Sequence, residues 1–241
     1  MKEENHSQSA ESYKEQGNAA IQRKAFEEAI LHYTCAIKID PQNSVLYSNR
    51  SFAFLKVQQY FLAMEDANEA IKLSPNWAKG YFRKAAIHHE TEHYLQAIEC
   101  YHKALEHAPN DQVIIEAIKT TAQKLHKDQK SDAQIPWVGA GVGIVVGVMV
   151  VIADYVYTNK PTLTHPILMA VMTIVIALIG YGVAKVCRYY IKCQRDSLLQ
   201  PPIDLCPKEE YEKENLLENE HRNTPRYTKS QARQRYKKGK Q

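Results

Sequence analysis

The 241-residue chain is poor in cysteine: it has five, and no two of them form a C-x-x-C pair. This scarcity argues against a disulfide scaffold and against a zinc ribbon, and it is typical of a reducing compartment. Residues 1–5 contain no apolar stretch, so we expect no cleavable secretory signal.

Formal charge is missing altogether from residues 135–153 and 166–184. As a helix, each stretch would reach roughly 28 Å, which is close to the thickness of a bilayer core. Neither stretch shows the polar stripe that a surface helix needs. We therefore predict two transmembrane helices, 135–156 and 166–187, joined by a short lumenal turn. A buried helical hairpin in a soluble protein is the alternative.

Positive charge is distributed unevenly around these spans. The turn holds only Lys160, whereas basic residues precede the first span and follow the second: Lys124, Lys127, Lys130, Lys185, Arg188, Lys192 and Arg195. The positive-inside rule then predicts that both termini are cytosolic. The last residues loosely resemble a dilysine retrieval signal, with Gly239 where that signal has lysine. The endoplasmic reticulum is favoured over the mitochondrial outer membrane.

The first span carries Gly139, Gly143 and Gly147 at a spacing of four residues. Glycines at this spacing allow two membrane helices to approach closely. They would either pack the two spans of one chain together or make a homo-oligomer through this glycine face. Cys187 and Cys193 follow the second span, where either S-acylation or an ordinary free thiol is expected.

Proline recurs at a constant step of 34 residues in the first half of the chain, at Pro41, Pro75 and Pro109. A repeat of this period indicates stacked helical hairpins. Alanines on the same step allow close helix approach, tyrosines are expected to fill the space between helices, and each proline is expected to start the next helix. We predict three hairpins over 10–109 and a capping helix within 111–130. The other recurring residues are Tyr13, Tyr47 and Tyr81; Ala29, Ala63 and Ala97; and Ala36, Ala70 and Ala104.

Polar residues lie on the arc of the first helix of each hairpin that is opposite its packing face. They are Lys14, Asn18, Asn49, Lys79 and Arg83. Stacking of the hairpins would bring these three cations and two amides to one groove. Ammonium, guanidinium and amide donors together suit a peptide that ends in two carboxylates. A solvated polar face is the alternative.

These features resemble the tetratricopeptide-repeat family, although only the first repeat keeps the family glycine, as Gly17. The five groove residues resemble the dicarboxylate clamp of tetratricopeptide co-chaperones. The resemblance implies that they hold the C-terminal Glu-Glu-Val-Asp of heat-shock chaperones of the seventy- or ninety-kilodalton class.

Residues 89–93 spell H-E-x-x-H, which on one continuous helix would suit a zinc hydrolase. The repeat places this motif across the turn inside the third hairpin, so we expect no metal site there. We expect His88 to be a hydrogen-bonded core residue and His89 and His93 to lie on the surface. No catalytic set can be argued from spacing, so we predict no enzyme and no cofactor.

Beyond the spans, residues 188–241 are predicted to form a cytosolic, largely disordered tail with a basic end that could touch anionic lipid. Nucleic acid is not expected as a partner. The sequence thus predicts an all-α protein: a disordered start (1–9), a repeat domain (10–130), a membrane hairpin (135–187) and a tail. The favoured function is a membrane-anchored co-chaperone or adaptor. The alternative is a membrane scaffold or targeting receptor that binds other acidic peptides in trafficking or organelle organisation.

Overall fold

The computed structural model describes residues 9–157 and 165–201. These residues contain eight α-helices, which confirms the all-α prediction. The first six helices form three hairpins, and the last two helices are much longer. The helices are α1 (Ala10–Gln22), α2 (Phe26–Ile39), α3 (Ser44–Lys56), α4 (Tyr60–Leu73), α5 (Ala78–Glu90), α6 (Tyr94–His107), α7 (Gln112–Tyr157) and α8 (Pro166–Ser197).

The recurring prolines end one hairpin and do not start the next, so the prediction for them was wrong. Each proline lies two residues beyond the end of a helix, and α3 begins three residues after Pro41. A proline ring forces the preceding residue out of helical conformation. Asp40, Ser74 and Ala108 accordingly share an extended φ, of −128°, −141° and −142°.

A left-handed residue closes the turn inside each hairpin. Lys24, Gln58 and Glu92 are 34 residues apart and have φ of 60°, 62° and 62°. A residue in this conformation commonly ends a helix, because it redirects the chain while the last carbonyls remain hydrogen-bonded. The second helix of each hairpin starts two residues later, so the two helices pack antiparallel over a short turn.

Small side chains fill the contacts between the hairpin helices. All six recurring alanines are fully buried, including Ala29, Ala63 and Ala97 at 0% exposure. The buried aromatic residues of the described core are Tyr33 and Tyr101, at 1% and 4% exposure.

Tyr13, Tyr47 and Tyr81 are partly buried. Tyr81 packs against the core of the third hairpin and stacks on His107 of α6, and the ring of Tyr13 lies 6.4 Å from that of His32 on α2, so these two tyrosines lie between helices as predicted. The more deeply buried Tyr33 and Tyr101 were not predicted. The spacing of Tyr13, Tyr47 and Tyr81 is regular, but spacing alone does not say which face of a helix is covered.

The capping helix and the first predicted span are one continuous helix. α7 runs for 46 residues and includes Pro136, so no break separates the array from the span. Ile114 near its start packs into the core of the third hairpin. α8 also continues ten residues beyond the predicted end of the second span, into the segment predicted as a largely disordered tail. The two long helices, α7 and α8, therefore both reach the repeat array without an intervening linker.

The glycines of α7 bring α7 and α8 into close contact within one chain. A Cβ atom at Gly139 would lie 2.6 Å from Ala184 Cβ, and one at Gly147 would lie 3.1 Å from Thr173 Cα. A side chain at Gly139 would force the helices to shift, and one at Gly147 would require its neighbour to move by a few tenths of an ångström. Of the two uses expected for the glycine face, the structure contains the packing of both spans of one chain.

α7 and α8 are candidate membrane spans by their length and composition. α8 has no buried residue, although it contains the uncharged stretch 166–184. Its large apolar side chains are exposed, for example Ile174 at 58% and Leu178 at 65%. Exposed apolar surface of this extent is unfavourable in water and is favourable in hydrocarbon. The predicted lumenal turn falls mainly on residues 158–164, which lie outside the described residues.

The end of α8 packs against the third hairpin. Arg195 forms ion pairs with Glu92 at 2.6 Å and with Asp128 at 3.1 Å, and His93 Nε2 lies 3.0 Å from an oxygen of Asp196. Leu199 adds an apolar contact to the cluster of buried residues around Ile87. We call the contacts of 195–199 with the array the brace. The brace and the continuous α7 hold the array at two points.

Closer to the uncharged segments, a second set of ion pairs joins α7 to α8. Arg188 contacts Asp128 at 3.0 Å and also contacts Asp132, which in addition pairs with Lys192. The positive and negative charges of these side chains compensate each other next to the ends of the uncharged segments.

Replacing Gly143 with isoleucine is expected to separate α7 from α8. A Cβ atom there would lie 2.7 Å from Ile176 O and 2.8 Å from Ala177 Cα, both backbone atoms that cannot yield cheaply. We expect a loss of about 1–3 kcal/mol of stability in detergent, measured by thermal unfolding of the full chain. The matched control is Gly141→Ile, because a Cβ at Gly141 meets nothing within 4 Å. Equal destabilisation by both variants would contradict the packing.

Candidate functional site

The first helices of the three hairpins carry the five predicted groove residues. Lys14 and Asn18 lie on α1, Asn49 lies on α3, and Lys79 and Arg83 lie on α5. Residues four apart share one face of a helix, so each of the pairs on α1 and α5 points to one side. We call the surface formed by these five residues the groove.

The two asparagines of the groove are in direct contact. Asn49 Nδ2 donates to Asn18 Oδ1 at 3.4 Å, which links α3 to α1. The buried hydroxyl of Tyr33, on α2, donates to the same oxygen at 2.8 Å. The Asn18 oxygen thus accepts two hydrogen bonds, and its amide nitrogen remains available to donate to a ligand.

The guanidinium of Arg83 lies between α5 and α3. Its central carbon is 4.5 Å from the centre of the Phe52 ring, at the distance of a cation–π contact. Its Nε is buried and has no hydrogen-bond partner among the described residues. Lys79 lies one turn earlier, with its ammonium 5.9 Å from the centre of the Trp77 ring. Aromatic rings therefore contact both cations and stabilise their charge, but they do not provide hydrogen-bond acceptors for the N–H groups of Lys79 and Arg83.

Positive charge in the groove is not neutralised on the α5 side. Within the described residues, neither Lys79 nor Arg83 forms an ion pair, whereas Arg50 on α3 makes two 2.7 Å hydrogen bonds to Asp66. Burial lowers the pKa of Arg83, and burial followed by the charge of Arg83 lowers the pKa of Lys79. Both shifts mean that the charged forms lack a counter-charge. A bound carboxylate would supply one.

Lys14 differs from the other two cations of the groove. Its ammonium forms an ion pair with Glu11 at 2.7 Å, one turn earlier on α1. Sequence reasoning assigned no acidic residue to the groove and therefore missed this contact. Glu11 is 61% exposed, so the pair is solvated and contributes little to stability. A ligand carboxylate could compete with Glu11 for Lys14.

An apolar cavity of about 380 Å³ opens beside Lys79, between α5 and the start of α7. Its lining includes Trp77, Phe82, Val113 and Ile114. Sequence reasoning missed this cavity, because it identified the apolar residues of 111–126 as a cap and not as a wall of the site. The cavity can take an apolar side chain next to the charged groove.

Comparison with known proteins agrees with the repeat period. Residues 78–111 match the family model of the tetratricopeptide repeat. This segment is a tetratricopeptide repeat. That match covers α5, α6 and the turn after them, and the hairpins α1–α2 and α3–α4 repeat their proline and alanine positions at the same 34-residue step.

Several relatives of this chain are named as Hsp70-Hsp90 organizing proteins or as heat shock proteins. It is 35% identical over 119 residues to Hsp70-Hsp90 organizing protein 2 of Arabidopsis thaliana, which is 49% of this chain and 21% of that protein. It is 37% identical over 131 residues to Heat shock protein STI1 of Saccharomyces cerevisiae, 54% of this chain and 22% of that protein. The chain thus spans about a fifth of the length of these curated relatives.

Solved structures are similar over the same half of the chain. The first TPR domain of human RPAP3 is 30% identical, with a TM-score of 0.49, and the match covers 51% of this chain and 96% of that one. The first TPR of Spaghetti (RPAP3) bound to the HSP90 peptide SRMEEVD is 31% identical, with a TM-score of 0.47, and covers 50% and 95%.

The H-E-x-x-H motif is interrupted by a turn, as expected from the repeat. α5 ends at Glu90 and α6 begins at Tyr94, so His89 and His93 do not share a helix. His89 Nδ1 lies 2.8 Å from the hydroxyl of Thr121, and His93 lies against Thr91 and Asp196. The expectation that His93 is a surface residue was wrong, because its side chain is only 12% exposed beneath the brace.

His88 packs beside these residues, and none of the described residues makes a hydrogen bond to its Nδ1, contrary to the expectation of a hydrogen-bonded core histidine. Burial lowers its pKa to about 4, and the nearby charges of His93 and Lys84 act in the same direction. The folded array therefore disfavours the protonated ring, whereas the unfolded chain accepts the proton readily.

The array is expected to lose stability as the pH falls from about 6.5 to about 4, because only the unfolded chain protonates His88 in that window. Since the ring is partly exposed, we expect about 1–2 kcal/mol. The measurement is denaturant unfolding of the full chain in detergent at pH 7 and pH 4.5. His88→Phe should remove this part of the loss, and His102→Gln, at an exposed site, should leave it unchanged. An undiminished loss in His88→Phe would contradict the assignment.

Proposed function

We propose that this protein is a membrane-anchored adaptor whose groove binds the C-terminal Glu-Glu-Val-Asp of heat-shock chaperones. The observation that carries the proposal is that Lys79 and Arg83, beside the amides of Asn18 and Asn49, form no ion pair with any residue that the structure describes. A peptide terminus with an α-carboxylate and an aspartate side chain offers two acceptors for these donors. The names of the relatives, which include Hsp70-Hsp90 organizing proteins, support this class of partner.

The cavity beside Lys79 supports a peptide ligand over a small anion. A residue upstream of the acidic terminus, if apolar, would place its side chain against Trp77 and Val113. Burial of one such side chain contributes roughly 1.5–3 kcal/mol before the cost of ordering the peptide. The positive charge of the groove would then select the acidic C-terminus of the peptide, and the cavity would add to the affinity for the peptide.

The candidate spans support anchoring in a membrane with the array on the cytosolic side. Lys124, Lys127 and Lys130 precede the apolar part of α7, and Lys185 follows that of α8, as the positive-inside rule requires. Membrane lipid would cover the apolar surface, and the endoplasmic reticulum remains our preferred membrane. Tethering would add the membrane contact to the groove contact as avidity. The reaction chemistry would belong to the bound chaperone.

Two other predicted features concern the thiols on α8 and the two ends of the chain. Cys187 and Cys193 are both exposed on α8, so S-acylation at these thiols stays a prediction. The basic end of the tail and the first eight residues lie outside the described residues.

Arg83→Met is expected to weaken binding of a peptide ending in Ile-Glu-Glu-Val-Asp by about 2–5 kcal/mol, at least about thirtyfold. Methionine can keep the apolar contact with Phe52, and it removes the charge together with the N–H donors. Lys79→Ala should cost less, since Lys79 is more exposed. The measurement is calorimetry on the full chain in detergent micelles.

The matched control for both variants is Lys103→Ala, a cation on the exposed side of α6. It removes the same charge from the chain but lies outside the groove, so its affinity should equal that of the wild type. Equal weakening by Lys103→Ala and Arg83→Met would indicate non-specific attraction and would contradict the proposal. Strong binding of unrelated acidic peptides would favour the scaffold alternative.

A further inference from the structure

We propose that Tyr33 is a positioning residue of the groove, whose hydroxyl holds the Asn18 amide in the orientation that a carboxylate ligand needs. This inference rests on the proposed function and adds a sixth residue to its site. Tyr33 does not face the ligand, since it is 1% exposed behind α1, so it would act only through Asn18.

The hydrogen bonds at Asn18 determine which end of its amide faces the groove. The hydroxyl of Tyr33 and Nδ2 of Asn49 both donate to Asn18 Oδ1, at 2.8 Å and 3.4 Å. Rotation of the amide by 180° would place its NH₂ group against the NH₂ group of Asn49 and would turn its oxygen toward a ligand carboxylate. The observed arrangement leaves the Nδ2 hydrogens free to donate to that carboxylate.

The fold places the Tyr33 ring where it can reach Asn18. A Cβ atom at Gly17 would lie 2.6 Å from Cε1 of Tyr33, so the ring occupies the space that a side chain at this position would need. Asn18 is the next residue along α1. Burial raises the pKa of Tyr33 to about 12, partly offset by the nearby charge of Arg83, so the hydroxyl keeps its proton at neutral pH. A protonated hydroxyl is the donor that the Asn18 oxygen requires.

The third repeat provides an internal comparison. Tyr101 occupies the position of Tyr33, 68 residues later, and is also buried, at 4% exposure. The residue that corresponds to Asn18 is Ala86, which has no polar side chain. Tyr101 packs instead with its ring centre 5.4 Å from that of Phe82. A buried tyrosine at this position therefore packs the core in both repeats, but of the two, within the described part of the chain, Tyr33 alone also donates a hydrogen bond to a groove residue.

The test removes the hydroxyl and keeps the ring. Tyr33→Phe in the full chain should weaken binding of a Glu-Glu-Val-Asp peptide by about three- to tenfold in calorimetry, the range expected for one hydrogen bond. Tyr101→Phe removes the same atom from the corresponding position of the third repeat and should leave affinity unchanged. Equal loss in both variants would show that the hydroxyls act through core packing, and it would overturn the inference.

A double-mutant cycle separates positioning from a general loss of structure. Asn18→Ala should weaken binding, and Tyr33→Phe in that background should cause no further loss, because the hydroxyl would have no amide to orient. An undiminished effect of Tyr33→Phe in the Asn18→Ala background would overturn the inference. Should Tyr33→Phe misfold, the Asn18 side-chain amide of the wild type gives a second readout by ¹⁵N NMR. One set of signals from the Asn18 side-chain NH₂ group, both before and after peptide addition, supports positioning. Signals averaged over two amide orientations before peptide addition contradict it.

The outcomes also separate this inference from the proposed function. If the wild-type chain binds the peptide and Tyr33→Phe binds it equally well, the positioning role is wrong and the groove remains the site. If the wild-type chain does not bind the peptide, both the proposed function and the role of Tyr33 are overturned.

Discussion

The candidate site depends on two cations, Lys79 and Arg83, for which residues 9–157 and 165–201 supply no counter-charge. Elsewhere in the array a buried cation is neutralised, as Arg50 is by Asp66 at 2.7 Å. Lys79 and Arg83 have no such partner among the described residues, and the aromatic faces of Trp77 and Phe52 compensate for only part of the lost hydration. The burial of these cations lowers their pKa values, which is an electrostatic cost carried by the folded array. A carboxylate ligand would remove that cost, so the same feature would account for both the affinity and the selectivity of the proposed binding.

The rest of the architecture keeps the donors together and holds the array against the candidate membrane helices. Fully buried alanines allow the hairpins to stack closely enough for α1, α3 and α5 to share one surface. The continuous α7 and the brace at Arg195 then connect the array to the glycine-packed helix pair. Because no linker separates these parts, the direction of the groove relative to α7 and α8 is fixed by packing. A partner would meet a surface of defined orientation.

Much of this organisation could be predicted from the sequence, because it repeats. The 34-residue step predicted the hairpins, and the same step brought five polar residues to adjacent first helices. The uncharged segments predicted long apolar helices by length alone. Local patterns of this kind carry information about which residues share a face.

Contacts between distant segments could not be predicted in this way. The ion pair of Arg195 with Glu92 joins residues about a hundred positions apart, and no periodicity relates them. Its existence depends on α8 continuing past the predicted span and on α7 having no break near residue 130. Tyr33 was not singled out from the sequence, because the corresponding residue of the second repeat is Ala67, and only packing shows that Tyr33 reaches Asn18. His93 was expected on the surface because the brace that covers it was not foreseen.

The most direct test of the account compares one peptide in two chemical forms. The full chain in detergent is titrated with a peptide ending in Ile-Glu-Glu-Val-Asp, once with a free C-terminal carboxylate and once with that carboxylate amidated. The account predicts that the free acid binds at least about thirtyfold more tightly, since amidation removes a charge that the unpaired cations would neutralise. Equal affinity for the two forms would contradict it.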